Sequence, residues 1–162
     1  MDEINFKPIG YIYSPHVKTS GMPIQPAAAK GIKGSVEIFD EYAAGLKDIE
    51  GFSHIILLYH FHLAEGYHLE VRPFLDNNLH GVFATRAPKR PNAIGLSVVK
   101  LTGRNDRILQ IENVDIINGT PLLDIKPYVA DFDAAENISL GWLSGAKHKL
   151  PKMKSDQRFD FF

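Results

Sequence analysis

Arg86, Lys89 and Arg90 put three cations within five residues, and Pro88 and Pro91 stand among them. Proline fixes φ and biases the residue before it, here Ala87 and Arg90, toward extended backbone. A loop so restricted holds charge at low entropic cost, and arginine offers a planar fork of donors that matches a carboxylate or phosphate. The chemistry this suits is recognition of an anion or a nucleotide. A solvated charged turn has the same composition, and the residue types leave both readings open.

A second group is His60 and His62, with His68 close behind. Imidazoles two apart on a strand point the same way, which is an arrangement a metal could use. Only Glu65 stands among them and Glu70 lies further on, so the preferred reading is histidines lining a ligand cleft, with no metal. The chain contains no cysteine, which excludes a disulfide, a thiolate zinc site and a thiol nucleophile. It carries neither a G-x-G-x-x-G turn nor a P-loop, and no Ser/His/acid spacing compels a nucleophilic triad.

The elements that must position these groups read as strands. Residues 82–85 and 94–101 are β-branched and aromatic, with Ile94, Leu96 and Val98 alternating against Gly95, Ser97 and Val99, so residues 80–101 are expected to form two strands joined by the cationic elbow. Further strands are expected over 4–14, 35–39, 52–62, 69–74, 108–117 and 122–128, with a short helix over 41–47 capped by Asp40. In the apolar segment 52–62, His54, Ile56, Leu58, His60 and His62 share one face. Residues 16–33 hold Pro23 and Pro26, show no period and suit a lid. Residues 134–143 read as a further short strand or turn carrying the only tryptophan, Trp142. Eight or nine short strands with one short helix argue an all-β fold, a small open or closed β-barrel, rather than βαβ units.

Residues 1–143 are expected to form that domain and residues 144–162 a basic C-terminal tail, in which five cations stand against Asp156 and Asp160. Phe159, Phe161 and Phe162 at its end are expected to dock on the body or on a partner subunit. The formal net charge of −1 rules out a uniformly basic nucleic-acid binder, but residues 4–36 contain Lys7, Lys18, Lys30 and Lys33 and no acid. MDEINF lacks the features of a signal peptide and no apolar run is long enough to span a bilayer, so a cytoplasmic protein without membrane contact is expected. The residues alone lead to a barrel with a rigid cationic loop and a polar cleft for an anionic or nucleotide ligand.

Five ordered segments carry a resemblance further. ATRAPKRPNAIGLS resembles the TRSPxRPNPIGLS segment of the TsaA-like, or TrmO-like, family. IGYIYSP, MPIQP, GFSHIILLYHFH and DIINGTPLLDIKPY are similar to that family's other signature segments, over nearly all of residues 6–143. Ala87, Ala93 and Asn118 depart from its usual serine, proline and aspartate, and Gln25 directly follows Ile24 where many members insert arginine. The resemblance implies a homodimeric β-barrel methyltransferase that uses S-adenosyl-L-methionine to methylate N6 of threonylcarbamoyladenosine beside the tRNA anticodon. It also implies a donor site built from Ser14, Pro15, His16, His60, Phe61, Arg86, Leu96 and the turn Ile117, Asn118, Gly119, Thr120.

Within that frame the backbone amides of Asn118, Gly119 and Thr120 could close on a ribose or carboxylate, Arg86 could pair a carboxylate, and Phe61 and Leu96 could wall an adenine. Phe61 and Leu96 could equally be ordinary core. Asp124 and Tyr128 are candidates to accept the acceptor's proton, although Asp124 and Lys126 also read as an ion pair. Lys18, Lys30, Lys33, Lys89 and Arg90, with the tail lysines, are candidates to contact tRNA. The alternative is a non-enzymatic nucleotide- or RNA-binding barrel, or a methyltransferase of this fold with another substrate.

Overall fold

The computed structural model describes residues 2–146 and 154–155. Six strands form a closed antiparallel barrel: β1 (Gly10–Tyr13), β2 (Lys33–Ile38), β3 (His54–His60), β6 (Ile94–Asn105), β7 (Ile108–Glu112) and β8 (Thr120–Pro127), in the spatial order β1-β2-β7-β6-β3-β8. β8 pairs back onto β1, with Leu122 opposite Gly10 and Thr120 opposite Ile12, so the sheet has no free edge. Two further strands, β4 (Glu70–Val71) and β5 (His80–Gly81), pair with each other outside the barrel. The expected all-β barrel is thus found, and it is closed.

Strand alternation selects the core. On β3, Ile55, Leu57 and Tyr59 are buried, while the histidine-bearing face, His54, Ile56, Leu58 and His60, turns outward. On β6 the inward residues are Gly95, Ser97, Val99 and Leu101, which leaves Ile94 and Leu96 exposed at one mouth of the barrel. Ile12, Val36, Ile38, Leu109, Ile111 and Leu122 complete the interior, each fully buried aliphatic contributing about 1.5–3 kcal/mol. Gly10 is required by proximity, because a Cβ there would collide with the backbone of Glu37 on the neighbouring strand.

Several expectations are corrected in detail. Residues 80–101 do not form a hairpin: β5 pairs with β4, Val82–Ala84 winds into a 3₁₀ turn, and β6 pairs with β3 and β7. The Thr85 hydroxyl donates to the Val82 carbonyl at 2.9 Å, a local bond that competes with strand pairing despite the β-rich composition. The first strand starts only at Gly10, and Ile4 and Phe6 upstream of it are exposed. The helix expected over 41–47 is a 3₁₀ helix at Asp40–Leu46. Residues 134–143 form no strand, and Trp142 sits in the 3₁₀ turn Gly141–Gly145, preceded by the short α1 (Ala130–Asp133). Among the described residues no helix is long and apolar enough to cross a membrane. The aromatic terminus and Lys147, Lys149 and Lys152 lie outside the described residues.

The strand expected over 108–117 ends at Glu112 because Asn113 adopts a left-handed conformation, φ 68°. Its side-chain oxygen accepts the Gly31 amide at 2.9 Å, and its own amide donates to the Ile32 carbonyl at 2.8 Å. This residue switches the parity of the chain. Leu109 and Ile111 face the core before it, Val114 and Ile116 face the core after it, and Asp115 falls half-buried between the last two.

Candidate functional site

A cleft of about 1050 Å³ opens at the barrel end where β3 finishes and β6 begins. One wall is Tyr59, Phe61, Leu96 and Gly95, a second is the elbow 83–92, a third is Asp115–Ile117 with Thr120, and the lid segment supplies Thr19 and residues 22–25. The Tyr59 and Phe61 rings meet edge to face, their centroids 5.4 Å apart. Gly95 lies beneath Tyr59, and a methyl group at Gly95 would penetrate its ring.

Among the described residues Asp115 is the only carboxylate on this lining. The Ser97 hydroxyl donates to Asp115 Oδ1 at 2.7 Å, and Tyr59 Oη lies 3.0 Å from Ser97 Oγ. With the serine proton committed to Asp115, the tyrosine is the donor in the second bond. Burial pushes the Asp115 carboxyl up to about 6, against the opposing effects of the Ser97 hydrogen bond and the Arg86 charge. Burial, reinforced by the Asp115 charge, raises the Tyr59 phenol well above its ordinary range, so it remains a neutral donor. His62, also on the lining, is held below its usual range by burial and then by His60, and its buried Nδ1 has no hydrogen-bond partner.

Behind the third wall, residues 14–16 clasp residues 114–119. The Ser14 hydroxyl donates to the Ile116 carbonyl at 2.5 Å, His16 Nε2 lies 2.9 Å from the Val114 carbonyl, and the Ser14 amide donates to Asn118 Oδ1 at 3.1 Å. The Asn118 and Gly119 amides donate to the His16 and Ile12 carbonyls at 2.7 and 2.8 Å. Gly119 takes φ 77°, which a side chain would strain. Two of the three amides expected to meet a ligand are therefore engaged within the fold, and the turn's observed work is to fix the Asp115–Ile117 wall.

The elbow is held from inside. Arg90 Nη1 donates to the Thr85 carbonyl at 3.1 Å and reaches the Ala87 carbonyl at 3.5 Å, so its charge ties the loop together. Lys89 is 6% exposed and faces the cleft. Arg86 is exposed, lines the cleft and donates to Gln25 Oε1 of the lid at 3.2 Å. The C-terminal segment braces the same region: Trp142 Nε1 donates to the Ala84 carbonyl at 2.8 Å and its ring stacks on His80. The Ser155 amide donates to the Met22 carbonyl at 2.7 Å, while the Ser155 carbonyl accepts the Gly21 amide at 2.8 Å.

Residues 11–134 match the family described as the tRNA-methyltransferase O N-terminal domain. The chain belongs to this family. A probable S-adenosyl-L-methionine-binding protein of Pyrococcus abyssi is 57% identical over 96% of this chain and 85% of its own length. The tRNA (adenine(37)-N6)-methyltransferase of Mus musculus is 38% identical over 83% of this chain, but only 33% of its own length is covered. The crystal structure of TrmO from Pseudomonas aeruginosa superposes with a TM-score of 0.74 at 37% identity, covering 87% of this chain and 63% of that one. This member of the tRNA-methyltransferase O N-terminal domain family thus spans under two thirds of that solved chain.

The structure gathers part of the family-derived residue set at the cleft: Phe61, Arg86, Leu96, Ile117 and Thr120 line it, as do Lys89 and Arg90. Ser14, His16, Asn118 and Gly119 support it from behind, as described. Pro15 and His60 are exposed and do not line it, and neither do Lys18, Lys30 and Lys33, all exposed. Asp124 and Tyr128 are placed elsewhere. They lie about 13 and 26 Å along the chain from Thr120 at 3.3 Å per strand residue, toward the opposite barrel end. There Asp124 pairs with Lys126 at 2.8 Å, which realises the ion-pair alternative, and the Tyr128 ring meets His54 edge to face. No group of three metal-ligating side chains converges among the described residues.

The family departures have local reasons. Ala87 is buried with Val71 and Val82, a setting in which a hydroxyl would need a partner. Asn118 uses only its side-chain oxygen toward Ser14, a contact an aspartate makes equally. Sequence reasoning passed over Asp115 and Ser97. The available signals were an acid between two aliphatics, Val114 and Ile116, and a serine on the inward parity of β6.

Proposed function

We propose that the chain is an S-adenosyl-L-methionine-dependent methyltransferase acting on N6 of threonylcarbamoyladenosine next to the tRNA anticodon. The observation that carries this reading is the cleft itself, in which apolar walls, a cation and a half-buried carboxylate converge in about 1050 Å³. Ordinary small-molecule pockets run to roughly 1,000 Å³, so there is room for a nucleoside-sized donor and the base it modifies. The Pyrococcus abyssi relative's name supports the donor, and the Mus musculus relative's name supports the tRNA acceptor.

The residues fit the donor's chemistry. Phe61 and Leu96 offer faces for an adenine, and Arg86, whose side chain reaches the lid glutamine, offers a cation to a carboxylate. When bound, S-adenosyl-L-methionine supplies an electrophilic methyl group on a good leaving group. The chain's contribution is then to position the acceptor and exclude water. Arg86 also links the elbow to residues 16–33 through its hydrogen bond to Gln25.

A homodimer completes the reading. Phe83, Ile94 and Leu96 are exposed at the cleft mouth, Phe83 at 75%, and a second copy would cover them. Sedimentation is expected to give a dimer at micromolar concentration; a monomer would contradict it.

Calorimetric titration with S-adenosyl-L-methionine, before and after treatment with a chelator, tests the donor reading. Equal saturable heats in both conditions are expected. No heat in either removes the enzyme and leaves a donor-independent RNA-binding barrel, and heat lost to the chelator contradicts the metal-free site.

A further inference from the structure

We propose that Asp115 takes the proton from the methyl-accepting nitrogen, and that Tyr59 and Ser97 position its carboxylate through a chain of two hydroxyl hydrogen bonds. The inference rests on the methyltransferase reading and adds to it the group that completes the reaction. It replaces Asp124 and Tyr128, which stand away from the cleft.

The chemistry requires such a group. An exocyclic nitrogen that carries an acyl substituent still holds one proton, and its lone pair is delocalised into the adjoining carbonyl and ring. It becomes a competent nucleophile as that proton leaves. The balance is simple: the nitrogen–carbon bond forms, the carbon–sulfur bond of the sulfonium donor breaks with its pair remaining on sulfur, and the proton passes to the Asp115 carboxylate and then to water. Donor and acceptor need nothing else from the protein by way of redox partner or metal.

Geometry selects Asp115. Among the described residues it is the one carboxylate on the cleft lining, where it lies between the buried Val114 and Ile116 and meets the inward Ser97 of β6. Its Oδ1 is occupied by Ser97 Oγ at 2.7 Å, and Tyr59 Oη at 3.0 Å from Ser97 Oγ fixes that hydroxyl in turn. A single oxygen thus carries the hydroxyl chain. The charged and titratable groups acting on Asp115 are Arg86 from the elbow and Tyr59 from β3. Of the other ionisable groups on the described lining, the Arg86 and Arg90 guanidinium groups hold their protons, Tyr59 resists ionisation, and the His62 Nδ1 is buried without a hydrogen-bond partner, whereas Asp115 is held in place by one. A proton acceptor matched to neutral pH is worth roughly 10²–10⁴-fold in rate.

The test couples two readouts. One is single-turnover methyl transfer to tRNA bearing threonylcarbamoyladenosine between pH 5 and 9. The other is carbon NMR titration of the Asp115 carboxyl in the donor-free protein. The rate is expected to rise and level with the same midpoint at which the carboxyl titrates, about 6. The Ser97 hydrogen bond lowers that midpoint, so Ser97→Ala is expected to move both curves upward together. Tyr59→Phe is expected to move both in the same direction by less, and serves if Ser97→Ala does not fold. Asp115→Asn is expected to lose at least about 100-fold in rate with donor heat retained. A rate within threefold of the parent overturns the proposal, as does a kinetic midpoint that persists without Asp115. Loss of donor heat in Asp115→Asn would make it a donor contact instead and also overturns it. Donor binding by the unaltered chain with no methyl transferred to tRNA would overturn the functional reading, and this inference with it.

Discussion

Gly95 and Tyr59 face each other across β6 and β3 in full register, and the glycine leaves the only space the tyrosine ring can occupy. The ring is 5% exposed, so it has nowhere to retreat. Gly95→Ala is therefore expected to destabilise by about 1–3 kcal/mol, the usual cost of overpacking. That corresponds to a Tm lower by roughly 2–12 °C in a chain this size. Gly81→Ala is the control, since a Cβ there meets nothing within 4 Å and its φ of −57° suits any residue. Calorimetry giving equal Tm values for the two variants would contradict the packing described.

Asp115 imposes a cost on the fold that its removal should relieve. Burial holds its folded-state carboxyl near 6 against the ordinary 3.8, so the folded protein keeps the proton over a range where the unfolded chain has lost it. Stability from this group consequently falls as pH rises from about 4 to about 6, and stays lower above that. Asp115→Asn, still able to accept from Ser97, is expected to match the parent near pH 4 and to exceed it at pH 8 by on the order of 2 kcal/mol. Denaturant melts at the two pH values measure this. A variant that loses stability relative to the parent between pH 4 and 8 would contradict the burial assigned to Asp115.

The cations divide by position. Arg86 lines the cleft, whereas Lys30 and Lys33 are exposed away from it. Arg86→Ala is expected to weaken S-adenosyl-L-methionine binding at least about tenfold in the absence of RNA, the loss of one charged pairing. Lys30→Ala with Lys33→Ala is expected to leave donor affinity unchanged and to lower the slope of log K against log salt for tRNA by about two. An unchanged salt slope removes those lysines from the RNA surface, and donor binding unaffected by Arg86→Ala removes Arg86 from the donor site.

The barrel was legible because its strands alternate, whereas its closed order was not, since only β6 and β7 are joined by a tight turn and β2–β7, β3–β6 and β3–β8 pair across long stretches of chain. The elbow was legible as a stiff cationic loop for local reasons, Pro88 and Pro91. What else sequence could not show was set by single residues acting against pattern. The Thr85 hydroxyl turned a β-branched run into a 3₁₀ turn, and Asn113 at φ 68° switched the parity, so that Val114 and Ile116 face the core with Asp115 half-buried between them. Asp124 was a candidate proton acceptor in the sequence, yet its position along β8 carries it away from the cleft, which only the three-dimensional register reveals.

The central claim is methyl transfer to a modified adenosine in tRNA. Its most direct test is mass spectrometry of nucleosides from tRNA bearing threonylcarbamoyladenosine, incubated with the purified chain and S-adenosyl-L-methionine labelled in its methyl group. The account predicts labelled N6-methyl-threonylcarbamoyladenosine, formed at least about 100-fold more slowly when Asp115→Asn replaces the parent. Label in no nucleoside, with the donor bound, would contradict it.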